Sequence, residues 1–151
     1  MDHNLANNVA IDYAAVAIAN ASSTDANTSI FDMTGFDGIV FITAITDCAD
    51  TGVALLTVEQ SSANADTDMT ALTGATATAT ADGNDDLNGK NLIVDVYRPT
   101  KRFVQCAITS SVANIAFSAT QAIRYKSSAG PITNDTDTTA QTTVVASPAE
   151  A

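Results

Sequence analysis

Tryptophan is absent, cysteine occurs twice, histidine once, and only six side chains carry positive charge. Each scarcity excludes something. A Ser–His–acid or Cys–His constellation needs a positioned imidazole, and the sole histidine is His3, at the start of the chain. Cys48 and Cys106 are too few for a disulfide framework and lack the paired spacing of a zinc site. Both lie in or beside apolar runs and read as buried reduced thiols, with a disulfide open only if their strands are neighbours. No GxGxxG, Walker lysine motif or HExxH occurs. Eight aromatics are present. Phe31, Phe36, Phe41, Phe103 and Phe117 read as core, which leaves few platforms for a sugar. No enzyme activity, cofactor or metal is expected. No run of about eighteen apolar residues occurs, so no membrane-spanning helix is expected. The opening MDHNLANNVA has neither a basic nor an apolar signal region, so the chain is expected to be soluble and made in a cytoplasm.

The positive charge that exists is concentrated. The 151 residues carry a formal net charge of −11. Residues 1–89 hold thirteen acids and no lysine or arginine. Every cation falls between Lys90 and Lys126, opposed there only by Asp95. Such a surface repels nucleic acid and anionic membranes, so neither is an expected partner. The basic segment NLIVDVYRPTKRFVQCAIT (91–109) places Arg98, Lys101 and Arg102 in a Pro-containing turn between two β-branched runs. Two readings stand side by side: contact with an acidic protein partner, or internal pairing with the many aspartates.

The remaining signals favour strands. IDYAAVAIA (11–19) reads as one strand. SIFDMTGFDGIVFITAIT (29–46) reads as a short strand, a Gly-marked turn and a buried strand. Within it, IVFITAI is nearly continuously apolar, as in a strand covered on both faces. VALLTVEQSS (53–62) is another strand. Residues 63–90 are open: a short helix around 65–72 or an irregular excursion, then TATATA as a candidate edge strand. In the basic segment, Leu92, Val94 and Val96 share one face and Val104, Cys106 and Ile108 another, which suggests a hairpin with Pro99 in its turn. ANIAFSATQAIRYK (113–126) reads as a last long strand, with Ile123 and Tyr125 on the Ile115–Phe117 face unless a bulge intervenes. Short strands and regular turns predict an all-β chain, an antiparallel β-sandwich or jelly-roll-like body. An Ala-rich, helix-containing fold is the weaker alternative.

Two segments call for separate readings. In DGNDDLNG (82–89), Asp82, Asn84 and Asp86 have the spacing of half a calcium loop. Leu87 and Ile93 stand where that loop needs Gly and Glu, so a plain turn is favoured. Asp135 and Asp137 carry the same ambiguity. After Gly130–Pro131 the sequence becomes polar and aperiodic, and it cannot bury enough surface to fold alone. The chain therefore divides into a body, 1–130, whose first residues are a candidate arm, and an extended C-terminal tail, 131–151. Ile132, Val144 and Val145 are the tail's candidate contacts with a neighbouring subunit.

Residues 87–151 supply a resemblance. The segment LNGKNLIVDVYRPTKRFVQCAIT, the following NIAFSATQAIRYK and the polar tail ending VVASPAEA, in a small acidic Ala/Thr/Asp-rich chain, resemble the head decoration (cement) proteins of tailed bacteriophages. The resemblance implies a β-rich body, commonly a homotrimer, seated on the outside of a capsid and stabilising contacts between its subunits. The implied partner is the major capsid protein and the implied location the capsid surface of the virion. Arg98, Lys101 and Arg102 become the candidate capsid contact. Other readings are a virion tail or fibre component and a carbohydrate-binding β-sandwich module.

Overall fold

The computed structural model describes residues 4–128, 131–135 and 137–144. It contains eleven strands: β1 (Val9–Ala15), β2 (Ile18–Ala21), β3 (Asp25–Asn27), β4 (Phe31–Asp32), β5 (Gly38–Cys48), β6 (Val53–Ser61), β7 (Thr70–Thr80), β8 (Asn91–Tyr97), β9 (Phe103–Ser111), β10 (Ile115–Phe117) and β11 (Thr120–Tyr125). Two single turns of 3-10 helix, Leu5–Asn7 and Asp66–Asp68, are the only helical elements among the described residues. Among the described residues no helix is long and apolar enough to cross a membrane.

The strands form two antiparallel sheets, β1-β11-β5-β10-β2 with β8 on the other side of β5, and β3-β9-β6-β7 with β4 also on β9. Three of the short pairs, β1/β2, β3/β4 and β10/β11, are single strands interrupted by a break: β3 and β4 share β9, β10 and β11 share β5, and β1 and β2 lie along β11 and β10 in turn. Joining them leaves eight strands. The first lies beside the eighth, the second beside the seventh, the third beside the sixth and the fourth beside the fifth. That nested order is a jelly roll. The all-β sandwich expected from the sequence is therefore the fold, in its jelly-roll form.

The core lies between the sheets. Ile39, Phe41 and Ile45 from β5 meet Leu56 and Val58 from β6, Val104, Cys106 and Ile108 from β9, and Ile115 and Phe117 from β10. Phe41 and Phe117 are fully buried, each contributing about 1.5–3 kcal/mol of transfer free energy. β7 is an edge strand, as TATATA suggested: Ala75, Ala77 and Ala79 pack against the core while Thr76, Thr78 and Thr80 face solvent. The helix considered for 65–72 reduces to one 3-10 turn.

Three local expectations change. The basic segment is not a hairpin. β8 pairs with β5 in one sheet, and β9 pairs with β6, β3 and β4 in the other, so the turn 98–102 crosses the sandwich. The last strand is broken at 118–119. Ser118 takes over the ladder there, its amide donating to Ala44 O (2.8 Å) and its Oγ accepting from Ala44 N (2.9 Å). The break shifts the alternation: Thr120 and Ala122 continue the buried face of Ile115 and Phe117, and Ile123 and Tyr125 turn outward. IDYAAVAIA likewise breaks at 16–17, where Val16 is 68 % exposed. Cys48 and Cys106 are both buried and free, in opposite sheets.

The described part of the tail lies against the edge of β1. Ile132 N donates to Asn7 O (2.8 Å), and Ile11 N donates to Asn134 Oδ1 (2.7 Å). The first bond reaches the 3-10 turn ahead of β1, and the second gives Ile11 a partner on the otherwise unpaired side of β1.

Candidate functional site

The crossing turn is rigidly placed. Gln60, buried near the end of β6, holds it from below: its Oε1 accepts from Thr100 N (3.0 Å) and Lys101 N (3.2 Å), and its Nε2 donates to Thr100 Oγ1 (2.8 Å). On the other sheet, Arg98 N donates to Asp37 O (2.6 Å). Arg98 has a left-handed backbone (φ 55°), uncommon for a side chain of this kind and held here by that bond.

The three predicted contact cations have different roles. Arg102 is engaged internally: its Nε and Nη2 bind the two carboxylate oxygens of Asp32 at 2.9 and 2.6 Å. That guanidinium, with further bonds from Thr34, holds the Asp32 carboxyl far below the usual carboxylate range. Arg98 and Lys101 have no ion-pair partner among the described residues. Arg98 lies over its neighbour Tyr97, 5.1 Å from the ring centroid. The internal-pairing reading thus holds for Arg102, while Arg98 and Lys101 are exposed.

Beside them is a groove of about 570 Å³, lined by Met33, Thr34, Phe36, Asp37 and Pro99 together with the three cations. Its floor is apolar and its wall basic. Beneath it a second ion pair closes the end of the sandwich. Arg124 contacts Asp12 Oδ2 at 3.0 Å, donates to Asp32 O, and lies 4.7 Å from the Phe36 ring centroid. Lys126 lies over the Tyr97 ring at 5.0 Å. Five of the six cations thereby gather at one end of the body. The lone exception, Lys90, sits at the other end beside Asp82, Asp85 and Asp86.

Sequence reasoning placed Phe36 and Phe103 in the core; both are half-buried, Phe36 packed against the core while lining this groove and Phe103 under the Arg102 guanidinium. Asp12 and Gln60 were not singled out, since neither stands in a motif. Tyr97 and Tyr125 share a face. They occupy register positions on either side of Gly38, where an added Cβ would overlap the Tyr125 ring. Tyr125 donates to Asp95 (2.5 Å), and burial followed by that carboxylate raises its phenol pKa.

The other candidates fall as follows. Asp86 Oδ2 accepts from Asp82 N and Asp85 from the side chains of Asn84 and Asn88, so the loop carboxylates bind the loop's own donors. Asp135 accepts from Asp137 N in the same manner. No group of three or more His, Cys, Asp or Glu suited to a metal occurs among the described residues. Burial pushes the Cys106 thiol up to about 12. Ile132 stands beside Val9 and Tyr125, and Val144 is exposed; Val145 and His3 lie outside the described residues.

No protein-family model matches the chain, and no curated protein matches its sequence. The crystal structure of the PBSX exported protein XepA shares its fold, with a TM-score of 0.54 and 15 % sequence identity over 96 % of this chain and 46 % of that one. This chain therefore spans about half the length of that protein, and the likeness is one of fold.

Proposed function

We propose that this chain is a structural virion protein of a tailed phage that decorates the outside of the head and strengthens contacts between capsid subunits. The observation that carries the reading is the basic groove. An otherwise acidic jelly roll presents Arg98 and Lys101, without internal acid partners, beside an apolar floor of Met33 and Phe36. That combination suits an acidic loop with an apolar side chain, as on a capsid protein. Exposed ion pairs contribute only about 0–1 kcal/mol each, so charge orients the contact and apolar burial holds it. Many copies on one shell turn such weak contacts into firm attachment.

The sequence resemblance over residues 87–151 supports this reading, as does a fold shared with a phage-related protein. The role needs no cofactor and no catalytic group. The word "exported" in that protein's name favours a second reading, in which the chain is a module released from the cell and binds elsewhere. Heating undecorated heads with and without the purified protein separates the two. Heads that survive to a higher temperature with the protein present support decoration. Unchanged heads favour the free module.

A further inference from the structure

A second surface has the character of an interface. On the outer side of the first sheet, the register sets Ile11, Ile123 and Val40 in one row and Tyr13, Gln121, Ile42 and Ile93 in the next. None of these belongs to the core; they are half-buried or exposed, Ile93 by 53 %. β5 runs through the middle with Ile39, Phe41 and Ile45 inward and Val40, Ile42 and Ala44 outward. A strand of that composition suits cover on both faces, and the described chain covers one. The two rows carry no cation and one acid, Asp95, whose carboxylate accepts the Tyr125 hydroxyl.

The two ends of this face are oppositely charged. At the Gly38 end of β5 stand Arg98, Lys101 and Lys126. At the Cys48 end stand Asp47, Asp50, Asp82, Asp85 and Asp86, with Lys90 as their one cation. Asp47 lies opposite Ala116 at the far limit of the sheet.

We propose that a second copy of this chain packs on this face, sheet against sheet, about a two-fold axis perpendicular to the strands. That axis sets the basic end of each copy over the acidic end of the other; the alternative two-fold, along the strands, would stack like charge on like. The apolar rows meet in the middle, where two strongly acidic molecules bring almost no charge into contact. Such a contact is isologous and closes at two copies, not at the three that the sequence resemblance implies.

Sedimentation equilibrium of the full chain tests this. The expected result is a dimer, with Ile42→Asp monomeric yet unchanged in circular dichroism and in the cooperativity of melting. Lys126→Glu is expected to weaken the dimer roughly tenfold, a loss of about 1.4 kcal/mol, and adding Asp47→Lys to restore it. A wild type that stays monomeric at its highest soluble concentration overturns the proposal, as does a trimer. An Ile42→Asp variant that associates like the wild type overturns it as well. A monomer whose Ile42→Asp variant loses binding to heads would assign the face to the capsid instead. Failure of the charge swap to restore association would overturn the antiparallel arrangement.

Discussion

The Gln60 side chain grips Thr100 at two points, accepting from its backbone amide and donating to its hydroxyl. One residue of β6 thereby fixes the turn that carries the chain from one sheet to the other. Lys101 owes its position to it, and Arg98 to the bond from its own amide to Asp37 O.

Gln60→Ala removes these bonds and strands the Thr100 and Lys101 amides. A loss of about 1–3 kcal/mol is expected from three part-buried hydrogen bonds at about 0.5–1.5 kcal/mol net each. Denaturant titration should show a lower midpoint with an unchanged slope. An unaltered midpoint would mean that the turn is held by its ends alone.

The Asp32–Arg102 pair sets a pH dependence. The Asp32 carboxyl is lowered in the folded protein, so its stabilisation is present above the ordinary carboxylate value and is lost as pH falls through the lowered one. Both side chains are largely open to solvent, 39 % and 59 %, so Arg102→Ala should change neutral-pH stability little. The same variant should move the Asp32 titration, followed by NMR, up toward an ordinary aspartate.

Glu59 has the opposite sign. It stands half-buried on β6, and burial, then the nearby Asp66 and Asp25, raise its carboxyl pKa. Its ionisation therefore disfavours the fold as pH rises through and beyond the ordinary glutamate value. Glu59→Gln should raise the melting temperature at neutral pH, and the gain should vanish at pH values where both proteins are uncharged at this position. A destabilised Glu59→Gln at neutral pH would show that the carboxylate makes a favourable contact.

Gly38→Ala tests the tyrosine face. The added methyl group displaces the Tyr125 ring, which swings outward on a flexible side chain and releases Asp95. The protein should remain folded, and one phenol should titrate at lower pH in an ultraviolet absorbance titration. An unchanged profile would mean that the ring stays over residue 38.

Local pattern carried much of the fold. The alternation of Leu92, Val94 and Val96, and of Val104, Cys106 and Ile108, places those faces correctly because period two is a property of each strand alone. The partner of each strand is not. Nothing in Arg98–Arg102 distinguishes a hairpin from a crossover, since both need a Pro-compatible turn; the choice is made by Asp37 and Gln60, distant in sequence. The break at Ser118 was invisible because a serine that bonds to Ala44 looks like any strand serine. The basic turn was legible as a site from charge alone. The division of labour between Arg102 and its two neighbours depends on Asp32, seventy positions away from Arg102.

The most direct test is co-sedimentation of the full chain with undecorated heads from the same genome, with the Arg98→Ala/Lys101→Ala double variant alongside. The expected result is wild-type binding at a fixed ratio to capsid subunits, strongly weakened in the variant while its melting temperature is nearly unchanged. Equal binding by the two proteins would remove the basic groove from the contact, and absence of wild-type binding would contradict the decoration role itself.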